Sequence, residues 1–249
     1  MRPIRTAALA LLSLSLATPL GAQSLTPQQR EEVVQVLREA LRRDPSILRD
    51  AIGALQQAER QDQDAARSAA IATHADALFR DPADPVLGNP RGDVTVVEFF
   101  DARCGYCKTL HPVVEALLRG DKQVRVVLKD LPVLGAGSVL ASRALLAAQR
   151  QGKYTALYDA LMRLRGEPTE AALKAESERL GLDWARLRRD MDDPAIEARL
   201  RNNLALAQAL SIQGTPALVI GGTLVPGAVD LATLQELVAA ARREAPPPG

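Results

Sequence analysis

The stretch Val94-Thr95-Val96-Val97-Glu98-Phe99-Phe100-Asp101-Ala102-Arg103-Cys104-Gly105-Tyr106-Cys107 contains the only two cysteines of the 249-residue chain. Residues 94–100 are β-branched and aromatic with no breaker, which predicts a strand. A Cys-x-x-Cys opening a helix directly after such a strand points to thiol–disulfide chemistry. Cys104 is expected at the helix N-terminus, where unpaired backbone N–H groups and the helix dipole favour a thiolate. It is the candidate nucleophile. Cys107, one turn further in and more buried, is the candidate resolving thiol. Glu98 stands among apolar neighbours, so burial should raise its pKa and fit it to accept the Cys107 proton, whereas on an exposed strand face it would do neither.

Other readings of the two cysteines remain open. A structural disulfide across two residues closes so small a loop that it constrains the unfolded chain little. A zinc site would need ligands beyond one cysteine pair, with His74 and His111 as candidates. Copper(I) is soft and takes two thiolates readily, so a Cu(I) site at Cys104 and Cys107 stays in view. No other metal and no organic cofactor is expected. The redox-active Cys104–Cys107 pair serves instead. Arg103 and Lys108 add positive charge nearby, His111 is either packed or tuning, and Pro112 should kink the helix.

The apolar content of 47% and net charge of +1 describe an ordinary globular chain, with nothing basic enough for nucleic acid. In 1–22, Arg2 and Arg5 precede an apolar run at 7–16 and small residues up to Ala22. This reads as a cleavable signal peptide, too short to span a bilayer, and implies export to a periplasm.

Residues 23–80 read as a helical oligomerisation module and linker. Thr26, Pro27 and Gln29 form a helix start, followed by apolar stripes at Val33, Val34, Leu37, Ala40 and Leu41 and at Ile47, Leu48, Ala51, Ile52 and Leu55. Residues 56–67 are polar but helix-favouring. Ile71, Leu78 and Phe79 resume apolar contact. Residues 81–245 read as an α/β domain with strands at 94–100, 124–128, 217–220 and 223–225, the last two a hairpin. A helical insertion at about 135–212 splits the sheet, and a helix over 231–243 closes the domain. Thr215-Pro216 precedes the third strand. Cis or trans is left open there, but a cis turn would present the Thr215 backbone to an extended substrate.

The conjunction of Glu98-Phe99-Phe100, Cys-x-x-Cys, a helical insertion and Gly214-Thr215-Pro216 resembles the DsbA-like thioredoxin-fold oxidoreductases. Within that family, the N-terminal helices, Val86-Leu87-Gly88-Asn89-Pro90, residues 100–107 and Gly214-Thr215-Pro216-Ala217 are most similar to the ScsC (suppressor of copper sensitivity) proteins. The resemblance implies a thioredoxin fold with inserted helices, catalytic Cys104, Cys107, Glu98 and cis-Pro216, and substrate contacts at Gly105, Tyr106 and Thr215. It further implies exported cysteine-containing protein substrates, a membrane-bound thiol reductase as partner, homo-oligomers up to a trimer, and isomerase activity linked to copper tolerance. Tyr106 stands where DsbA has a histidine, which argues against a strongly oxidising pair. A monomeric DsbA-type oxidase and a copper-binding protein are the competing functions.

Overall fold

The computed structural model describes residues 25–244, which fall in two compact units, one up to Glu59 and one from Arg60. The leader-like segment 1–22 and the Pro246-Pro247-Pro248 tail lie outside the described residues.

The first unit holds helix α1 (Pro27–Arg43) and the start of α2 (Ser46–Thr73). Thr26 caps α1 reciprocally with Gln29: the Gln29 N–H donates to Thr26 Oγ1 at 3.2 Å and the Thr26 N–H to Gln29 Oε1 at 2.9 Å. That satisfies two otherwise orphaned donors, while Pro27 occupies the first helical position, where no N–H is needed. Among the described residues both apolar stripes lie largely uncovered, with only Ala40 and Leu41 half-buried. Val33, Val34, Val36, Leu37, Ile47, Leu48, Ile52 and Leu55 are all exposed.

The second unit is built on a five-stranded mixed sheet in the order β1-β3-β2-β4-β5, where β1 is Val86–Gly88, β2 Val94–Phe100, β3 Val124–Asp130, β4 Ala217–Ile220 and β5 Thr223–Pro226. β2 lies parallel to β3 and antiparallel to β4. Parallel neighbours need a crossover, supplied here by α4 (Gly105–Gly120). Strands 94–100, 217–220 and 223–226 stand where the sequence predicts them, and β3 runs two residues further than expected. β1 is an addition. It pairs antiparallel with the edge of β3 and ends at Gly88, whose φ of +74° and whose approach to Leu118 and the Val124 carbonyl leave no room for a Cβ.

Between β3 and β4 comes the all-helical insertion: α5 (Ala136–Gln149), α6 (Tyr154–Arg163), α7 (Glu170–Arg179), α8 (Trp184–Asp190) and α9 (Pro194–Ala209). Its later helices start at side-chain caps from Thr169, Asp183 and Asp193. Helix α10 (Leu231–Glu244) closes the unit.

Period-two alternation sorts β2 onto two cores. Val94, Val96 and Phe100 face the larger, with Cys107, Leu110 and Val114 of α4, Tyr158 and Leu161 of α6, and Leu234 and Val238 of α10. Val97 and Phe99 face the smaller, with Ile71, Leu78 of α3 (Ala75–Phe79), Leu206 and Leu210. Glu98 shares the parity of Val96 and Phe100, so the strand pattern itself carries its carboxylate to the α4 side.

On the other side, buried Lys129 donates to Asp84 and, at 2.6 Å, to the Ala77 carbonyl, while Arg199 donates to Asp84 at 2.6 Å. Burial raises the Asp84 pKa and the two cations oppose that rise. The group ties α3, β3 and α9 together. Removing Lys129 leaves the buried Asp84 carboxylate with Arg199 as its one remaining cation, which costs far more than replacing the whole group by apolar residues. Lys129→Ala should therefore lose about 3 kcal/mol in chemical denaturation at pH 7, and the triple variant Asp84→Leu, Lys129→Met, Arg199→Leu should recover most of that loss.

Candidate active site

Cys104 is the N-cap of α4, with extended backbone (φ −67°, ψ 119°) and its side chain free of any capping bond. Its Sγ lies 3.2 Å from the Thr215 carbonyl oxygen, to which it donates. The Thr215–Pro216 peptide bond is cis. The turn is locked to the hairpin where the Gly227 N–H donates to the Pro216 carbonyl at 2.8 Å. Both cysteines are thiols, Cys104 7% exposed and Cys107 wholly buried. Burial pushes the Cys107 thiol far up. The charges of Cys104 and Glu98 push the same way, and hydrogen bonding from the Asp101 backbone and the Thr215 side chain opposes them.

Glu98 is completely buried. The Tyr158 hydroxyl donates to its Oε2 at 3.4 Å, and Oε1 has no partner among the described residues. Burial lifts the carboxyl from its ordinary 4.5 to about 7, against the weak opposing pull of Tyr158. Tyr158 is itself held in place by its neighbours, with Phe100 edge-on at 5.0 Å and His111 edge-on at 5.3 Å between ring centroids. α4 runs unbroken through Pro112, and buried His111 turns towards Tyr158 and Asp159.

Asp101 sets the loop before the cysteines. Its Oδ1 accepts from the Arg103 N–H at 2.8 Å, and its Oδ2 from the Val133 and Leu134 N–H groups at 2.9 and 3.1 Å. Arg103 also donates to the Leu134 carbonyl and, at 2.8 Å, to Glu167, while Lys108 donates to the Leu164 carbonyl at 2.8 Å. The two basic residues expected as flanking charge thus fasten the Cys-x-x-Cys segment to the insertion. Around the thiols the surface is open and apolar. Tyr106, Val133 and Leu134 are exposed, and a cleft of about 350 Å³ beside Thr215 and Pro216 is lined by Ser211, Ile212, Leu224 and Pro226.

Residues 95–239 match the DSBA-like thioredoxin domain. The chain belongs to that family. Among solved structures, a thioredoxin-like oxidoreductase from Silicibacter pomeroyi DSS-3 is 47% identical, covering 68% of this chain and 98% of its own, with a TM-score of 0.67. A linker-deleted mutant of Proteus mirabilis ScsC is 30% identical over 90% of this chain and 100% of its own, also at 0.67. A periplasmic thioredoxin-like protein from Salmonella enterica serovar Typhimurium is 35% identical, over 68% and 96%, at 0.62. The chain spans about a quarter of the length of the first curated relatives: the Na+/H+ antiporter NhaA 1 of Salinispora arenicola is 32% identical over 166 residues, 64% of this chain and 26% of that protein.

In this DsbA-like chain the structure brings Cys104, Cys107, Glu98, Thr215 and Pro216 together, and leaves Gly105 and Tyr106 at the exposed lip. His74 takes no part and sits between α2 and α3. Sequence reasoning missed two residues. Tyr158 gave no signal, because it meets Glu98 only through the folded insertion. Asp101 gave a faint one, an Asp two residues before an N–H that it caps.

The buried acid has a consequence for stability. A carboxyl raised in the folded state keeps its proton where the unfolded chain has lost it, so stability falls as pH rises from about 4.5 to 7 and the deficit is complete above that. Asp130, buried and pushed up to about 7, acts in the same sense, so only the difference from a variant isolates Glu98. Whatever constant cost the amide brings, Glu98→Gln should gain on the order of 3 kcal/mol relative to the parent between pH 4 and pH 8, measured by urea denaturation.

Proposed function

We propose that the chain is a periplasmic thiol–disulfide oxidoreductase that reduces or reshuffles disulfides in exported proteins. One observation carries the reading: a cysteine at a helix N-terminus, 3.2 Å from the carbonyl of a cis X-Pro turn, above a second thiol and a buried acid. The Cys104 thiolate attacks a substrate disulfide. The S–S bond breaks, one substrate sulfur leaves as a thiolate, and the other is joined to Cys104. Cys107 then gives its proton to Glu98 and attacks the Cys104 sulfur, releasing the second substrate thiolate and leaving a Cys104–Cys107 disulfide. An acid poised near 7 suits that exchange of protons. In isomerisation the freed substrate thiolate attacks another sulfur first, and the enzyme returns as the dithiol with no net electrons moved.

Cys104→Ser should abolish thiol exchange, and Cys107→Ser should accumulate mixed disulfides with substrate, visible on non-reducing gels. With Glu98→Gln, the release step in the parent's Cys107 should slow by about 10²–10⁴-fold in stopped-flow.

Isomerisation requires a reduced pair, and a membrane-bound thiol reductase would supply the electrons. Tyr106 in place of the histidine of DsbA favours this direction over a disulfide-donating oxidase. The export pattern of 1–22 and the periplasmic Salmonella neighbour support the location. No described helix is long and apolar enough to cross a membrane. The copper-tolerance link rests on the likeness to ScsC. Self-association is supported by the uncovered stripes of α1 and α2, with Leu37 55% and Leu55 59% exposed.

Light-scattering mass should give an oligomer for the chain from Gln23 and a monomer for a chain starting at Arg60, which keeps the core residues Ile71 and Leu78. Scrambled-substrate activity should fall with the monomer. A monomeric parent whose cysteines are fully oxidised in cells would instead establish the oxidase reading.

A further inference from the structure

One and two turns beyond Cys107 on α4, His111 and Glu115 stand four residues apart, which places them on one side of the helix, and Asp159 of α6 faces them. His111 Nε2 lies 3.5 Å from Asp159 Oδ1 and 3.8 Å from Glu115 Oε1. The imidazole is 3% exposed, yet neither of its nitrogens has a hydrogen-bond partner among the described residues. An imidazole buried with both nitrogens unpaired is an expense a fold rarely keeps without use. The three donor atoms lie within 4.8 Å of one another and border an open cleft of about 360 Å³ lined also by Leu87, Gly88 and Leu118.

We propose that His111, Glu115 and Asp159 form a binding site for one divalent transition-metal ion of the zinc type, separate from the thiols. A zinc ion holds nitrogen and oxygen at about 2.0–2.2 Å, which sets neighbouring donors roughly 3–4 Å apart. Two of the three donor separations already fall in that range. Glu115 and Asp159 are 32% and 38% exposed, so small rotations of either carboxylate complete the fit, and the open cleft admits the water that fills the remaining position. One neutral imidazole and two carboxylates suit a borderline ion better than a hard one such as Mg²⁺, which prefers an all-oxygen shell. Two features limit the affinity. Arg163 pairs with Glu115 and must swing aside, which its 55% exposure permits. The His111 Nδ1 also lacks the acceptor that ordinarily orients a ligating imidazole, so micromolar rather than nanomolar binding is expected.

The test uses the full untagged chain with Cys104→Ser and Cys107→Ser, so that no thiolate binds metal, titrated with Zn²⁺ against a competing chelator dye. One ion per chain is expected. Asp159→Asn should weaken binding by about tenfold or more, His111→Ala at least as much, and Arg163→Ala should tighten it. Co²⁺ should give a d–d absorption band that Zn²⁺ abolishes. Because Asp159 is partly exposed, Asp159→Asn keeps the test decisive even if His111→Ala fails to fold. Absence of stoichiometric Zn²⁺ uptake, or uptake unchanged by Asp159→Asn and His111→Ala, overturns the site.

Discussion

The site rests on a single carboxyl, Glu98, held on a strand sealed from water on both faces and offered one hydroxyl as a partner. A buried charge with so little compensation is too costly to keep, so the group stays protonated until close to neutral pH. That places a proton reservoir beneath a thiol whose own burial resists ionisation. Each group is a poor site for an isolated charge. A carboxyl raised to about 7 holds a proton more readily than an ordinary one, so it narrows, without closing, the gap to the still less acidic Cys107 thiol. The stability given up at Glu98 is local, and the apolar sheet around it supplies the surplus.

Three residues further along, a second buried carboxylate has the opposite surroundings. Asp101 gives both oxygens to backbone N–H groups of Arg103, Val133 and Leu134, so it serves as an anchor. It joins the end of β2 to the segment after β3, and Arg103 and Lys108 extend the same join to Glu167 and the end of α6. The insertion thus acts as a wall for the reactive segment. It supplies Tyr158 to Glu98 and fixes the start of α4, so the position of Cys104 depends on residues far away in the chain.

Much of this was legible from local pattern. The unbroken run of 94–100, the apolar block at 217–220 and its Gly221-Gly222 turn mark strands because their length and composition admit little else. Glu98 betrayed its burial through its flanking Val97, Phe99 and Phe100. β1 escaped notice because it is three residues long and lies between Pro85 and Pro90, where no periodicity can build. The cis state of Thr215–Pro216 was not decidable, since the same dipeptide makes either turn. Tyr158 lies sixty positions from Glu98 and meets it only once the insertion has folded back. The unpaired nitrogens of His111 are equally a tertiary fact, because a lone helical histidine in a sequence has no visible neighbours.

The uneven distribution of buried surface bears on how the first unit is used. Every buried apolar residue among the described ones lies at or beyond Ile71, and both faces of the sheet are covered by elements of the second unit. The thiol site therefore has its full support within residues 60–244. The first unit keeps two apolar stripes in water, and two short helices are too small to bury such stripes on their own. A stripe of that kind is a liability in an isolated chain and an asset only when another surface covers it. Copies of this chain are the partner always present at the same place and concentration. Association through these helices would set several Cys104 sites around one misfolded substrate, and several weakly held contacts acting together retain a substrate that each alone would release.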